Sequence, residues 1–423
     1  MNRIRRWRRS AWLALLVSCA AYLLISLAHH QAFHPWGRLG FFDLKVYRGA
    51  ARLLLSGRSL YEAPIWRWAP FTYPPFAGVV FAPLALAPLV LDEVLVTAFG
   101  FVALFAVLSL ALRLPHGQGW GSQPGRPWPT ALIPVAVAAA LWLEPITATL
   151  GYGQINLLIA LLVVGDLSRR DGARGKGALI GIAAGLKLTP LMFVPYLFLS
   201  RRWRAACVAL GTFAATVVAG YAVLPSDSRR FWEDGLFLNP RRVGGCCVPA
   251  NQSLRGLILR LDPSLGNEWL LGVAAIVAFA GLSLSVLASR RGDEATGFSL
   301  CALTGLLVSP VSWTHHWALA VPALLVQGVR VFSGRSKREI LAFAGIVLVG
   351  YSYLPKLMEK PGFPAPSGLR LGWTLVSAPY VLIGLAVLAV AGLRETRLLK
   401  AGLPKPQMTS GHHLAIPDLE GAP

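Results

Sequence analysis

The stretch GFFDLKVYRGAARLLLSGRSLYE, residues 40–62, sets one acid, Asp43, among basic and apolar residues just after the first hydrophobic run. A carboxylate near a low-dielectric boundary can act as a general base that takes a proton from an attacking hydroxyl. Asp is also a preferred helix N-cap, and residues 44–56 read as a short helix closed by Gly57. The two roles are compatible. Within that helix Lys45, Arg48 and Arg52 fall on one face, and Leu44, Tyr47, Ala51 and Leu54 on another. This is the pattern of a helix lying along a membrane surface.

Further groups with chemical potential are scattered downstream. Lys187 stands in the middle of the apolar run GALIGIAAGLKLTPLMFVPYLFLS, residues 177–200. An ionisable residue there is costly and points to an anionic partner such as a phosphate, with Arg241, Arg242 or Arg255 as helpers. Gln154 and Asn156 in GYGQIN either hydrogen-bond between helices or bind sugar hydroxyls. Tyr73 in FTYPPF and Asn251 and Gln252 in PANQS join them as candidate polar lining. His315 and His316 follow Trp313, and a single histidine facing a cavity can donate to a phosphate or sugar oxygen. Adjacent histidines diverge on a helix and make a poor metal pair. The five cysteines, Cys19, Cys207, Cys246, Cys247 and Cys301, lack metal-ligand spacing. Neither a metal nor a cofactor is expected.

The elements that must position these groups are membrane helices. The chain has 423 residues, is 55% hydrophobic and 14% charged, and has a mean hydropathy of +0.57. A soluble domain cannot hide that much apolar surface. The net charge of +21 does not indicate nucleic acid, because Lys and Arg cluster in short runs between apolar segments, as in cytoplasmic loops. The first run could be read as a cleaved signal, but it continues past Cys19 to Ala28 and is long enough to span.

Taking the basic runs as inside markers gives spans at 11–29, 92–113, 129–147, 153–168, 203–224, 269–289, 294–309, 314–330, 338–354 and 372–393. The run 177–200 is flanked by basic clusters on both sides, so it reads as two short helices turning at LKLTP. An all-α polytopic protein of about twelve membrane helices results, with both termini cytoplasmic. The membrane domain covers 1–393 and a polar cytoplasmic tail 394–423. The proline-broken stretch FTYPPFAGVVFAPLALAP lies on or dips into the bilayer, as a plug or as a groove for a lipid tail. All the candidate motifs then fall on the outer side, which one outward-facing site explains.

In order, FFDLKVYRGAARLLLSGRSLYE, FTYPPFAGVVFAPLALAP, GYGQINLLIALLVVGDL, GIAAGLKLTPLMFVPYLFLSRRWRAA, NQSLRG and LVSPVSWTHHW resemble glycosyltransferase family 87, over residues 40 to 330. The resemblance implies a GT-C fold in the cell membrane. It also implies transfer of mannose from a polyprenyl-phosphate mannose donor to a glycolipid or glycan acceptor at the outer face. The chemistry would be inverting and metal-independent, forming α-1,2 linkages. The resemblance makes Asp43 the catalytic base and puts His315 or His316 near the donor phosphate. Residues 331–423 match nothing specific. A lipid or sugar transporter is the rival of another class, and the same fold using arabinofuranose or another hexose is the nearer one.

Overall fold

The computed structural model describes residues 2–28, 39–62, 64–115, 132–245, 247–334, 336–359 and 370–400. Among the described residues every regular element is helical, and the only strand-like pairings are isolated bridges. In chain order the helices are α1 (Asn2–Ala28), α2 (Phe42–Leu55), α3 (Pro75–Phe81), α4 (Leu89–Ala111), α5 (Leu132–Ala140), α6 (Glu144–Tyr152), α7 (Asn156–Leu167), α8 (Ala178–Leu186), α9 (Phe193–Leu199) and α10 (Trp203–Val223). They continue as α11 (Pro225–Trp232), α12 (Leu254–Leu261), α13 (Asn267–Arg290), α14 (Glu294–Val308), α15 (Val321–Gly334), α16 (Lys337–Ser352), α17 (Leu354–Leu357), α18 (Arg370–Val376) and α19 (Pro379–Lys400).

The chain is a polytopic membrane protein, and its described helices do not fix the count of membrane helices at twelve. Seven described helices are long and apolar enough to cross a membrane, or eight if the α5–α6 pair, bent by 71°, counts as one span. The expected spans at 153–168 and 294–309 become α7, of 12 residues, and α14, of 15. At 1.5 Å per residue these reach only about 18 and about 22 Å, short of the hydrocarbon thickness. The expected span at 372–393 is two helices, α18 and α19, and α19 runs on through residue 394 to Lys400. The rest of the expected tail, 401–423, lies outside the described residues.

Local chemistry sets the breaks. α8 stops at Lys187, whose backbone is extended (φ −155°, ψ 128°). A 3-10 turn over Thr189–Met192 then leads into α9. Pro190 lacks the N–H that would bond the Leu186 carbonyl, and its ring would clash with that carbonyl, so the α-helix cannot run through. The expected break at LKLTP is therefore where the backbone turns. Both halves pack against α10.

Two expectations about α2 need correction. Asp43 is not its N-cap: the helix starts two residues earlier than expected, at Phe42, Phe41 occupies the cap position with φ 48°, and no side chain caps the end. Nor do Lys45, Arg48 and Arg52 form one solvated face. Arg48 is buried, pairs with the buried Asp92 of α4, and donates to the carbonyls of Leu84 (2.6 Å) and Ala87 (2.9 Å). A guanidinium carries enough donors to satisfy all three acceptors, so this basic residue pins α2 to α4 and the proline-rich turn.

Candidate active site

The start of α2 is tied to the end of α6 through backbone. Gly40 N and Phe41 N both donate to the Gly151 carbonyl, at 3.0 and 2.8 Å. α6 closes on Gly153 in the left-handed region (φ 66°). A Cβ at Gly153 would lie 2.8 Å from Leu44 Cβ and 3.2 Å from Phe41 Cδ1. Only glycine satisfies both the turn and the close approach. The result is that Asp43, in the first turn of α2, faces Gln154.

Gln154 is held in one orientation. Its Oε1 accepts from the Tyr47 and Tyr73 hydroxyls at 2.9 and 3.1 Å, and those hydroxyls lie 2.9 Å from each other. Burial, reinforced by neighbouring negative charge, keeps both phenols protonated well above the usual range. With the amide oxygen committed to the phenols, the NH2 end donates to Asp43. The Asp43 carboxyl is pushed up to about 6, chiefly by burial. The Gln154 hydrogen bond and the Lys187 charge oppose that rise. A carboxylate with this affinity can accept a hydroxyl proton near neutral pH and release it again.

Lys187 comes from the turn after α8. Its Nζ donates to Asn156 Oδ1 at 2.9 Å and lies 5.7 Å from the centroid of the Tyr73 ring. Burial pulls its amine down to about 8, and the Asp43 charge partly offsets this. Asn156 Nδ2 in turn donates to the His315 carbonyl at 3.0 Å, which also accepts from Thr149 Oγ1 at 3.1 Å. Residues from α2, α6, α7, the α8–α9 turn and the turn over Thr314–Ala320 thus converge. His316 shares with Lys187, Asn156 and Thr189 the lining of a small cavity of about 20 Å3, about one water in size. The His315 ring packs edge-on against Tyr152 at 5.3 Å and against His316 at 4.7 Å. His315 Nε2 and His316 Nδ1 are buried without a hydrogen bond.

Other candidates take different positions. Gln252 is fully buried with its amide committed: Nε2 donates to Pro249 O (2.6 Å) and Ser377 O (2.7 Å), and Oε1 accepts from Tyr380 N (3.1 Å). Asn251 Oδ1 accepts from Ser312 N at 3.0 Å. Both knit the 249–253 loop to the segment before the histidines, helped by Gln252 N to Ser312 O at 2.7 Å and Thr314 N to Ala250 O at 3.0 Å. Arg242 stacks over Tyr61 and reaches the carbonyls of Tyr61 and Phe71. Arg255 lies on α12 with a buried guanidinium nitrogen that makes no hydrogen bond. The Arg241 side chain and Cys246 lie outside the described residues.

Sequence reasoning missed Tyr47, Tyr152, Glu144 and Lys356. Glu144 carried a signal, since an acid within an apolar run is a functional candidate by default. Lys356 carried none, because its segment matches no motif.

The basic ends of the helices meet one another elsewhere. Arg202 pairs with Glu294 at 2.8 Å and lies 4.0 Å from Asp171. Arg290 donates to Leu199 O, Arg330 pairs with Asp293, and Arg291 pairs with Glu395.

A model of glycosyltransferase family 87 matches residues 71–310. The chain is 32% identical, over 96% of each chain, to a Mycobacterium tuberculosis polyprenol-phosphate-mannose-dependent alpha-(1-2)-phosphatidylinositol mannoside mannosyltransferase. A Mycolicibacterium smegmatis protein of the same description is 33% identical over 92% of each chain. A Mycobacterium tuberculosis polyprenol-phosphate-mannose-dependent alpha-(1-2)-phosphatidylinositol pentamannoside mannosyltransferase is 34% identical, over 89% of this chain and 90% of its own.

Proposed function

The chain belongs to glycosyltransferase family 87, and from that premise we propose that it moves mannose from polyprenyl-phosphate mannose to a phosphatidylinositol-mannoside-type acceptor, forming an α-1,2 linkage at the outer membrane face. The observation that carries the mechanism is the Asp43 carboxyl beside Gln154, whose amide oxygen accepts from Tyr73, together with the half-buried Lys187 ammonium 5.7 Å from the Tyr73 ring.

Asp43 takes the proton of the acceptor hydroxyl as the new C1–O bond forms. The old C1–O bond to phosphate breaks, with oxocarbenium character at C1. Its electron pair leaves on the polyprenyl phosphate, which gains one negative charge. Lys187, and a ring nitrogen of His316 beside it, are the groups poised to stabilise that charge. The transfer needs no metal if these side chains supply the counter-charge.

The outer-face assignment is supported by the opposed clustering of charge. The Asp43–Lys187 site gathers the motifs that the basic-run map puts outside, while Arg202, Arg291 and Arg330 pair with acids from segments that it puts inside.

The test uses purified protein with radiolabelled polyprenyl-phosphate mannose and a phosphatidylinositol mannoside acceptor. Mannosylated lipid is expected. If only a polyprenyl-phosphate pentose donates, the mannose assignment is wrong. If no donor works and loaded vesicles show solute flux, transfer itself is wrong.

A further inference from the structure

A second cluster of buried charge adjoins the site and depends on the C-terminal helices. Glu144, at the first position of α6, is fully buried. Its Oε1 accepts from Thr314 Oγ1 at 2.7 Å, and its Oε2 accepts from Tyr380 OH at 3.1 Å. Lys356 of α17 places Nζ 3.4 Å from Glu144 Oε1. The same ammonium stands 5.2 Å from the centroid of Tyr152, the ring that packs against His315. Glu359, one turn past Lys356, is exposed and accepts from Ala250 N at 2.9 Å.

The two cations reach the histidine turn through different partners. Lys187 donates to Asn156, whose amide donates to the His315 carbonyl, whereas Lys356 stands over Tyr152, whose ring packs on that of His315. Lys187 borders the cavity with His316, the side given above to the leaving phosphate. In an inverting displacement the attacking hydroxyl enters opposite the leaving group, on the side of its base. Lys356 is only partly exposed, at 16%, yet only one of its three ammonium protons is needed for Glu144. Tyr152 supplies an aromatic face, and Glu359 an acceptor for hydroxyls.

We propose that Lys356, Tyr152 and Glu359 form the acceptor-side subsite and take the sugar-phosphate headgroup of a glycolipid acceptor. Lys356 meets the phosphate and Glu359 the sugar hydroxyls, while Glu144 fixes Lys356 in place. This rests on the transfer reading above and specifies which end of the site each substrate uses. It also gives the C-terminal segment, which lies beyond residues 71–310 of the family match, a part in substrate choice.

The experiment measures equilibrium binding of tritiated phosphatidylinositol mannoside, and separately of polyprenyl-phosphate mannose, to the full-length protein in detergent. Wild type is compared with Lys356→Met, Lys356→Arg and Glu359→Gln. Loss of one charge-assisted hydrogen bond predicts acceptor binding about tenfold weaker in Lys356→Met. Lys356→Arg should restore most of it, and Glu359→Gln should weaken it by about threefold. Donor binding should stay unchanged in all three. If Lys356→Met and Glu359→Gln bind acceptor like wild type, the subsite is refuted. If donor binding weakens while acceptor binding holds, Lys356 belongs to the leaving-group side and the assignment is reversed. Lys356→Met strips Glu144 of its counter-ion and risks misfolding. In that event the exposed Glu359→Gln and the charge-conserving Lys356→Arg decide. Wild-type protein that binds acceptor through Lys356 but transfers no mannose would sink the transfer reading and leave the subsite standing.

Discussion

Gln154→Met tests how the base is held. The substitution keeps the side-chain volume but removes the NH2 that donates to Asp43 and the oxygen shared by Tyr47 and Tyr73. A hydrogen bond to a charged group contributes about 1.5–3 kcal/mol, and about 1.4 kcal/mol corresponds to a tenfold change in proton affinity. The freed phenols can turn partly toward Asp43, so the lower end applies. A base works deprotonated, so its activity is present above its pKa and disappears as pH falls through it. In wild type that acid limb should lie at about 6, where burial has lifted Asp43. The alkaline limb should lie at about 8, where Lys187 loses its proton. Gln154→Met should move the acid limb upward by about one pH unit and leave the alkaline limb in place. The deficit in kcat/KM should then be about fivefold at pH 6, about twofold at pH 7 and slight at pH 8. The assay is radiolabelled mannose transfer across that range, normalised to folded protein. The same fractional loss at every pH would refute the reasoning, because it would mean that Gln154 only supports the fold.

Asp43→Asn should lower transfer by at least about a hundredfold. It should also raise the melting temperature at neutral pH: a carboxyl whose folded pKa lies above its ordinary value costs stability once pH exceeds that value, and Asn removes the cost. Asp43→Asn protein with wild-type turnover would remove Asp43 from the base role. Lys187→Met should lower kcat more than it raises acceptor KM, since the ammonium is matched to charge that appears on the leaving phosphate; equal changes in both would contradict this. Gly153→Ala should lose about 1 kcal/mol from the left-handed backbone and more from the clash with Leu44, and thermal melting together with turnover reads both effects. Asp92→Ala should destabilise by about 3 kcal/mol by stranding the buried Arg48, and an unchanged melting temperature would show that the Leu84 and Ala87 carbonyls suffice.

The sequence by itself determined the class of molecule and pointed to residues of the candidate site. Apolar runs long enough to span, cut by basic clusters, specify membrane helices because burying charge in hydrocarbon is prohibitive. The break at Lys187 was legible because Pro190 cannot continue a helix. Asp43, Lys187, Gln154 and Asn156 stood out because polar groups in apolar surroundings must be doing something. Their partners were not legible. Nothing local says that Gln154 spends its oxygen on Tyr47 and Tyr73 and its NH2 on Asp43. The sequence pattern gave Arg48 to a solvated face and Asp43 to a cap, because one-helix periodicity cannot see Asp92 on another helix. Only the tertiary structure decided that Gln252 is a strut between distant loops, and that Glu144 gathers Thr314, Lys356 and Tyr380 from far along the chain. The reason is physical: each buried polar atom must find a partner wherever packing puts one, and packing is set by the whole chain rather than by neighbours in sequence.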